Sequence, residues 1–495
     1  MYPTLEEIKT LSASGQYKRI PVCQEMIADR FTTIEVMRTL QAASHHCFIL
    51  ESAENGQPWS RYSFLGYDPS MEITCINGKV TITTGTEEEA KTVETYQVDH
   101  PGEIFRKIIA DHKSPKLDTM PPFTGGLVGY FSYDYIKYAE PNLQLKNEEN
   151  ADFNDADLML FDKLIVFDGY KQKILLIAGV NTADIETSYQ KAQDTLDAMA
   201  TLLNSGARMA DRPLHLETPL TPTHDLQEYS AMVETAKHHI LEGDIFQVVL
   251  SNPLTAKATG SLFDVYRTLR LLNPSPYMFY FTSDHLEMAG ASPETLAKLQ
   301  DGTLYTFPLA GTRPRGKNPT EDKALEKELL GNEKELAEHN MLVDLGRNDL
   351  GKISQIGTVK VDRYLDILRF SHVMHIGSTV EGKIRDDKDA IDAIDAVLPA
   401  GTLSGAPKFR ACQIIEEEEN RKRGVYGGAI GYLDFSGNMD TCIGIRLAYK
   451  KKGILCVQSG AGIVADSQPE KEYQECMNKA KAMVTAIEAA EGGLA

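Results

Sequence analysis

The sequence predicts an α+β fold in which antiparallel β-sheets are flanked by helices. Short apolar runs are joined by Asn-Gly and Asp-Gly pairs, which are typical of β-hairpins. Segments with one apolar helical face lie among these hairpins, without the regular strand–helix alternation of a parallel sheet. The chain has 495 residues, which is too long for one ordinary core, so two or more domains are expected.

The N-terminal part of the chain is expected to be mostly β-structure. Residues 47–50 (CFIL) form a short apolar run suited to a buried strand. Apolar residues alternate over 71–75, and the Asn-Gly pair at 77–78 turns the chain into a second alternating run. The Asp-Gly pair at 168–169 predicts another hairpin of the same kind.

Residues 204–225 predict a linker between two domains. This stretch is rich in proline and polar residues, unlike the periodic segments on either side. We therefore divide the chain into an N-terminal β-rich region, residues 1–225, and a second domain, residues 226–495. The second domain opens with a predicted helix that stops near Gly243. Its apolar face is formed by Tyr229, Met232, Val233, Ala236 and Ile240.

The second domain is predicted to mix strands with helices. Residues 245–251 (IFQVVLS) indicate a strand. A charged helix is expected over 320–349, broken near Gly331. Residues 429–462 are typical of three strands joined by glycine-containing turns, and an amphipathic helix begins at Pro469.

Composition argues against several classes of protein. The formal net charge of −20 repels nucleic acid and anionic membranes. No apolar run is long enough to span a bilayer, and the acidic N-terminus lacks a signal-peptide pattern, so a cytoplasmic protein is expected. The seven cysteines are scattered without CxxC pairs, which argues against a disulfide framework and a structural zinc site.

The motifs of the second domain indicate a small-molecule site. Residues 401–433 and 458–480 combine small-residue turns with a carboxylate-rich helix, and an Arg-bearing segment lies between them. Backbone that approaches a ligand closely requires glycine. These segments resemble the catalytic domain of the chorismate-utilising enzymes. The resemblance implies that family's fold, with residues 226–495 as the chorismate-binding catalytic domain; it is very specific after about residue 226 and looser before it.

Two glutamates are candidate magnesium ligands. Glu338 lies in ELAEH and Glu475 in EYQECMNKA, both on predicted helices. Hard cations prefer oxygen ligands, and one or two carboxylates commonly suffice. The pattern alone favours solvated acids on a helix face. The resemblance implies instead that Glu338 and Glu475 hold Mg²⁺, and it favours them over Glu335 and Glu472.

Three further residues are candidates for catalysis. Glu294 lies in GASPETL, where the pattern alone predicts an acid at the start of a helix. The resemblance implies that Glu294 is the general acid that protonates the departing C4 hydroxyl of chorismate. It also assigns His375 (in FSHVMHIGSTVEG) to the second half-reaction, with Thr402 nearby. Whether His375 transfers a proton or orients a carboxylate remains open.

The remaining active-site candidates would bind the substrate. Gly311 and Thr312 in FPLAGTRPRG can offer donors to a carboxylate, and the resemblance places this motif at the substrate ring. Arg446 in GIRLAY is expected on a strand, from which an arginine often points to solvent. The resemblance implies that Arg446 and Tyr426 hold the enolpyruvyl carboxylate. Backbone N–H groups are implied nearby from Gly460, Ala461 and Gly462.

Two positions select among the reactions of this family. Related aminodeoxychorismate synthases commonly have a lysine where Ala310 stands, and an alanine cannot act as a nucleophile. Isochorismate and salicylate synthases have a water-activating lysine at the position of Gln247, which cannot act as a base. The resemblance therefore implies an anthranilate-forming enzyme that uses ammonia and serves tryptophan biosynthesis. The alternatives are an aminodeoxychorismate synthase and a non-catalytic chorismate- or tryptophan-binding sensor.

A regulatory site is also implied. Residues 49–66 and 273–280 resemble the two segments that form the tryptophan feedback site in this family. The matching positions, which ordinary strand packing and a proline turn would also explain, are Ser52, Pro276, Tyr277 and Met278.

The nitrogen source is expected to lie outside this sequence. Nothing in it resembles a glutamine amidotransferase, because no cysteine in a nucleophile-elbow pattern is evident. Ammonia would therefore come from solution or from a separate amidotransferase subunit.

Overall fold

Two large antiparallel β-sheets pack against each other, with helices on their outer faces. The computed structural model describes residues 1–53, 61–85, 91–147, 150–369 and 373–494. All pairings between the named strands are antiparallel in this part of the chain. The predicted α+β class is therefore confirmed.

Seven of the twelve described α-helices begin at a residue whose side chain caps the helix N-terminus. Helix α6 (Leu226–Leu241), for example, starts after Asp225, whose carboxylate accepts from the backbone N–H of Gln227 and Glu228 in a capping box. In the described residues the α-helices are α1 (Leu5–Ser12), α2 (Thr33–Ala43), α3 (Gly102–Asp111), α4 (Ile136–Ala139), α5 (Ile185–Asn204), α6 (Leu226–Leu241), α7 (Phe263–Leu272), α8 (Pro319–Leu330), α9 (Glu333–Gly351), α10 (Ala390–Val397), α11 (Lys408–Glu419) and α12 (Pro469–Ala490).

The strands are distributed along the whole chain. Before residue 226 they are β1 (Arg19–Ile27), β2 (Cys47–Glu51), β3 (Tyr62–Tyr67), β4 (Met71–Ile76), β5 (Lys79–Thr84), β6 (Thr92–Gln97), β7 (Gly126–Phe131), β8 (Ala156–Phe161), β9 (Lys163–Asp168), β10 (Lys173–Asn181), β11 (His215–Leu216) and β12 (Thr221–Pro222). After it they are β13 (Gln247–Thr259), β14 (Tyr277–Thr282), β15 (Glu287–Ser292), β16 (Thr295–Gln300), β17 (Thr303–Thr306), β18 (Leu309–Pro314), β19 (Lys360–Arg369), β20 (Val373–Lys383), β21 (Gly405–Ala406), β22 (Ala429–Asp434), β23 (Met439–Ile443), β24 (Leu447–Lys451) and β25 (Ile454–Ile463).

Each sheet contains strands from both parts of the chain. Sheet 1 has the order β1-β10-β9-β3-β2-β14-β15-β24-β25-β13-β11, and β12 and β21 also pair with β13. Sheet 2 has the order β18-β20-β17-β16-β23-β22-β7-β8-β4-β5-β6, and β19 also pairs with β20. The two parts meet at the β2–β14 pairing in sheet 1 and at the β7–β22 pairing in sheet 2. The division at residue 225 stays a prediction.

A common core lies between the two sheets. Phe48 and Phe279 of sheet 1 and Phe161 and Tyr432 of sheet 2 belong to one buried cluster. The rings of Phe48 and Phe161 meet edge to face with their centroids 4.7 Å apart. Because this core joins both sheets, it also joins both parts of the chain.

Several predicted elements are confirmed. The Asn-Gly hairpin joins β4 to β5, and Asn77 and Gly78 have φ angles of 49° and 74°, as its turn requires. The predicted helix at 226–243 is α6, the charged helix is split between α8 and α9, and the last helix begins at Pro469. All seven cysteines are buried.

Two local predictions are wrong. The turn after Asp168 is four residues long rather than an Asp-Gly pair, because the carboxylate of Asp168 accepts from the backbone N–H of Tyr170 and Lys171 and stabilises a wider loop. Residues 429–463 form four strands rather than three. The additional break follows Ile443, where the chain passes from sheet 2 to sheet 1.

No described helix combines the length and the apolar character that crossing a bilayer requires.

Candidate active site

Two sheet-to-sheet crossovers lie side by side and position the central residues of the site. The chain leaves sheet 1 at Ser292 and enters sheet 2 at Thr295, and it returns between Ile443 and Leu447. The crossovers are joined by two backbone hydrogen bonds, from Ile443 N–H to the Glu294 carbonyl and from Ala291 N–H to the Arg446 carbonyl, each 3.0 Å long. Glu294 and Arg446 are therefore brought to one place.

Glu294 lies in the first crossover and not at the start of a helix. That interpretation of the Ser-Pro-Glu pattern is wrong, because Ser292 ends a strand and its hydroxyl donates to the Ile443 carbonyl at 2.7 Å. The hydroxyl of Thr402 donates to Oε1 of Glu294 at 3.3 Å. Burial raises the pKa of Glu294 to about 7, against the opposing effects of Thr402 and of the Arg446 charge. A carboxyl group with this pKa can carry a proton near neutral pH.

Arg446 lies in the second crossover rather than on a strand. The strand prediction is wrong because β23 ends at Ile443 and β24 begins at Leu447. The φ angle of Arg446 is 50°, a left-handed conformation that non-glycine residues adopt rarely and often at functional sites. The residue is exposed, so its guanidinium group can reach a ligand. Surrounding protein lowers the pKa of Arg446, and the charge of Glu294 opposes this effect.

His375 is oriented by the β18–β20 pairing. Its Nδ1 lies 3.0 Å from the Gly311 carbonyl oxygen and 3.1 Å from the Thr312 hydroxyl. A carbonyl oxygen only accepts, so Nδ1 carries the proton and Nε2 is the acceptor nitrogen of the neutral ring. Burial lowers the pKa of His375, and Arg446 lowers it further, while the Gly311 contact opposes both effects. The neutral ring is therefore favoured at pH 7.

Gly311 makes this arrangement possible. The register between β18 and β20 shifts at this residue, which forms a β-bulge with a φ of 66°. The bulge brings the Gly311 carbonyl and the Thr312 hydroxyl to the same imidazole nitrogen. Gly311 and Thr312 thus contact His375 directly, and their role in binding the substrate stays a prediction.

Two glycines of β25 lie close to neighbouring residues, Gly460 to Tyr426 and Gly462 to Gln247. A Cβ atom on Gly460 would be 2.9 Å from the buried Tyr426 hydroxyl and 2.7 Å from the Leu250 carbonyl, so only glycine fits there. A Cβ atom on Gly462 would be 2.8 Å from the side-chain amide of Gln247. Among the described strands only β13 pairs with residues 460–462, so no described strand pairs with the other edge of this segment.

Glu338 lies on α9 and Glu475 on α12, near enough for the charge of Glu475 to raise the pKa of Glu338. Desolvation raises the pKa of Glu338, and the carboxylates of Glu335 and Glu475 raise it further. The Oε1 of Glu475 lies 2.8 Å from Nζ of Lys479. Negative charge therefore accumulates here on exposed oxygen donors, which is the chemistry that a Mg²⁺ ion requires.

The neighbouring acids are engaged elsewhere. The Oε1 of Glu335 accepts from Nη1 of Arg313 at 3.0 Å. The pKa of Glu472 is raised by burial and by Glu475, and a hydrogen bond from Ser467 opposes this effect. The choice of Glu338 and Glu475 over Glu335 and Glu472 stays a prediction.

The residues of the predicted regulatory site meet at the β2–β14 pairing. Glu51 lies opposite Met278, and the N–H of Ala53 donates to the Ser275 carbonyl at 3.0 Å, so Ser52 lies beside Pro276 and Tyr277. The Oγ of Ser52 is buried and has no hydrogen-bond partner within the described ranges. Residues 54–60 of the same predicted segment lie outside the described residues.

Two positioning residues were missed in the sequence. Buried Arg423 donates to the Leu403 carbonyl at 2.6 Å, next to Thr402, and to the Val249 carbonyl at 2.7 Å. Lys479 donates to the Gly460 carbonyl at 3.1 Å as well as pairing with Glu475. Lys479 could have been found from its spacing, four residues after Glu475 on a helix. Arg423 lies in a run of charged residues that is typical of a surface, and no local signal marks it.

Known proteins share this sequence and fold. A model of the chorismate binding enzymes matches residues 45–485. The chain is 44% identical to anthranilate synthase component 1 of Acetivibrio thermocellus over 99% of both chains. It is 41% identical to the Aquifex aeolicus protein of the same name, over 99% of this chain and 98% of that one.

Solved structures agree. Anthranilate synthase component I from Streptococcus pneumoniae superposes with a TM-score of 0.75 at 38% identity, covering 87% of this chain and 93% of that chain. The menaquinone-specific isochorismate synthase MenF of Escherichia coli shares the fold, with a TM-score of 0.69 at 19% identity and 98% coverage of both chains.

This chain therefore belongs to the chorismate binding enzymes. Within that family, the relatives with 40–44% identity over nearly their whole length are anthranilate synthase component 1 proteins.

Proposed function

We propose that this protein converts chorismate and ammonia to anthranilate and pyruvate, a step of tryptophan biosynthesis. The observation that carries the proposal is the Glu294 carboxyl group, with its pKa of about 7, held by Thr402 beside the cationic Arg446. An acid of this strength suits protonation of a departing hydroxyl at neutral pH. The full-length similarity to anthranilate synthase component 1 supports the same reaction.

In the first half-reaction, ammonia bonds to C2 of chorismate. The two ring double bonds shift and the C4–O bond breaks. Glu294 gives its proton to the departing oxygen, which leaves as water, and the ammonium group formed at C2 loses a proton to solvent to become a neutral amine. Thr402 orients the acid through its hydrogen bond. Arg446 and Tyr426 are suited to hold the enolpyruvyl carboxylate, with the N–H groups of residues 460–462.

In the second half-reaction, the aminodeoxyisochorismate intermediate loses pyruvate. The C2–H bond breaks, the C3–O bond breaks, and the enolpyruvyl group takes up a proton as it becomes pyruvate. Formation of the aromatic ring supplies the driving force. His375 is suited to accept the C2 proton, because its Nδ1 is committed to the Gly311 carbonyl and its lowered pKa keeps the ring neutral.

Glu338 and Glu475 are the residues that would hold magnesium. When bound, Mg²⁺ would orient the ring carboxylate of chorismate and stabilise negative charge that develops there. Lys479 would then shift its interaction from Glu475 toward Gly460, whose carbonyl it already contacts at 3.1 Å.

Two neutral side chains favour ammonia as the nucleophile. Ala310 is buried on β18, so this position offers no side-chain amine that could attack the chorismate ring. The amide of Gln247 lies beside Gly462, where a lysine could have activated water. We further propose that a separate amidotransferase subunit supplies ammonia from glutamine.

Tryptophan is proposed as a feedback inhibitor that binds beside Ser52. The hydroxyl of Tyr277 donates to Asp440 at 2.8 Å and lies 2.8 Å from the hydroxyl of Thr295, the residue after Glu294. A ligand beside Tyr277 is therefore one side chain away from the first crossover. Binding that favours an inactive position of this crossover would inhibit, with a coupling of about 1–3 kcal/mol.

Ser52→Phe tests the regulatory site. The phenyl ring would fill the space beside the unpartnered Ser52 hydroxyl, so inhibition by tryptophan should weaken at least about tenfold while turnover without tryptophan stays within a few-fold of normal. Inhibition curves and calorimetric titration with tryptophan provide the measurement. An unchanged inhibition constant would remove Ser52 from the site.

Product analysis tests the reaction itself. Purified protein with chorismate, Mg²⁺ and excess ammonium should release anthranilate and pyruvate in equal amounts, measured by chromatography and mass spectrometry. Accumulation of aminodeoxychorismate without pyruvate would favour the aminodeoxychorismate synthase alternative. Chorismate that binds without being consumed would favour the sensor.

A further inference from the structure

Three potential metal ligands converge where β2 begins and β14 ends, at the opposite end of these strands from Ser52 and Tyr277. Nε2 of His46 lies 3.7 Å from Oε2 of Glu72 and 3.3 Å from Oδ1 of Asp284. One ligand atom from each residue lies within 4.8 Å of the other two. Donors around a tetrahedral zinc ion are about 3.3 Å apart, given bond lengths of about 2.0–2.1 Å, so small side-chain adjustments would bring all three to one ion.

The cluster contains buried oxygen atoms that lack a hydrogen-bond donor. Glu72 is 8% exposed, and its Oε1 has no hydrogen-bond partner among the residues that the structure describes. Asp157, on the adjacent strand β8, is completely buried and its Oδ1 is also without a described partner. Buried carboxylate oxygens are normally satisfied, and each exception requires an explanation. A cation held at this cluster would satisfy the Glu72 carboxylate.

The charged side chains around the cluster do not exclude a bound cation. Lys91 is the described lysine near the cluster, at 3.7 Å from Oδ2 of Asp284, with a partly exposed side chain. Nζ of Lys163 forms an ion pair with Oδ2 of Asp68 at 2.6 Å. A cavity lined by His46, Glu72 and Lys91 opens onto the cluster and provides a path for an ion.

We propose that His46, Glu72 and Asp284 form a binding site for a divalent transition-metal ion, with Zn²⁺ as its preferred occupant. One imidazole nitrogen and two carboxylate oxygens are a donor set that suits Zn²⁺ better than Mg²⁺, which prefers oxygen donors alone. Three protein ligands leave a fourth position for water. The site is separate from the Glu338–Glu475 pair.

The proposed ion would connect the two sheets. His46 immediately precedes β2, and Asp284 lies in the turn between β14 and β15, all of sheet 1. Glu72 belongs to β4 of sheet 2. Metal binding would thus stabilise the packing of one sheet on the other, by an amount that increases with free metal concentration. The ion would bind beside the start of β2, whereas Ser52 follows the other end of that strand.

Zinc binding by the full-length protein tests the proposal. Chelator-treated wild-type protein should bind one Zn²⁺ per chain. His46→Gln and Asp284→Asn should each lower the affinity for this ion at least about tenfold. Asp284 is half exposed in a turn, so its variant should fold even if His46→Gln does not. Lys91→Gln should bind Zn²⁺ more tightly, because a competing cation is removed. Calorimetric titration and metal analysis provide the measurements.

Two controls separate this site from others. His285→Gln changes the exposed neighbour of Asp284 and should keep wild-type zinc affinity. Glu338→Gln removes one proposed magnesium ligand and should also keep it. Zinc should raise the Tm of the wild type and leave that of Asp284→Asn unchanged. Equal zinc affinity in wild type, His46→Gln and Asp284→Asn, or no zinc binding by the wild type, would overturn the proposal.

Discussion

At the scale of single residues, Glu294 is subject to opposite demands from stability and from catalysis. Burial favours the protonated carboxyl group and raises its pKa from 4.5 to about 7. The folded state therefore binds a proton more tightly than the unfolded state does. Stability from this group is lost as the pH rises from about 4.5 to 7, because the folded protein must then bury a charge. The same raised pKa makes Glu294 useful as an acid.

Glu294→Gln should consequently stabilise the fold at high pH. The pKa difference corresponds to up to about 3 kcal/mol at pH 8, at about 1.4 kcal/mol per pKa unit, and glutamine avoids the buried charge. Urea unfolding should show the gain at pH 8 and little of it at pH 4.5. Equal stability of the two proteins at both pH values would show that the Glu294 carboxyl group is not perturbed by folding.

The sequence identified Glu294, Arg446 and His375 as candidates but not their physical states. The candidates came from motifs, which are local. The pKa of Glu294 and the backbone conformation of Arg446 depend on the paired crossovers, which join residues about 150 positions apart. No local pattern contains that contact. For the same reason, the ordinary interpretations of Glu294 as a helix-start acid and Arg446 as a strand residue were reasonable and wrong.

At the scale of elements, the bulge in β18 connects backbone geometry to the catalytic histidine. Gly311 adopts a φ of 66°, and a Cβ atom there would be 3.0 Å from Leu329 and 3.1 Å from Glu335. A side chain would therefore strain the backbone and displace the carbonyl that orients His375.

Gly311→Ala should lower both stability and activity. We expect a loss of about 1–2 kcal/mol in unfolding free energy from the left-handed conformation. We also expect roughly a 10- to 100-fold loss in kcat/KM from the misplaced imidazole. The matched control is Gly302→Ala, since Gly302 has a φ of 76° with open space around it and lies in a turn outside the site. Equal activity losses in the two variants would contradict the role of the bulge.

Elements with strong local signals were predicted well. The Asn77 hairpin and the break between α8 and α9 follow from turn residues and helix caps. The loop after Asp168 was missed because one side chain bonds two backbone N–H groups and selects a longer turn. The same composition at another position permits either turn.

At the scale of the whole molecule, the two sheets combine both parts of the chain. The β2–β14 and β7–β22 pairings cross the predicted boundary at residue 225, and the aromatic core between the sheets uses residues from both sides. Strand order of this kind depends on long-range pairing and cannot be deduced from the sequence pattern of either part. The composition of the predicted linker does not indicate that strands from both parts of the chain share each sheet.

Separate expression of residues 1–225 and 226–495 tests how far the two parts depend on each other. Each fragment would expose one edge of both sheets and part of the shared core, so we expect neither to unfold cooperatively in urea alone. Co-expression should restore a cooperative transition. A catalytically active, cooperatively folded 226–495 fragment would establish it as an independent domain instead.

The pH dependence of anthranilate formation tests whether Glu294 is the acid of the first half-reaction. Anthranilate fluorescence should be followed with chorismate and Mg²⁺ at a constant concentration of uncharged ammonia. If Glu294 is the acid, kcat/KM should fall about tenfold per pH unit above a pKa near 7, because the deprotonated carboxylate cannot give a proton to the C4 oxygen. Glu294→Gln should lose about 10²–10⁴-fold in rate and this dependence with it. A flat wild-type profile, or a Glu294→Gln variant with wild-type activity, would contradict the account.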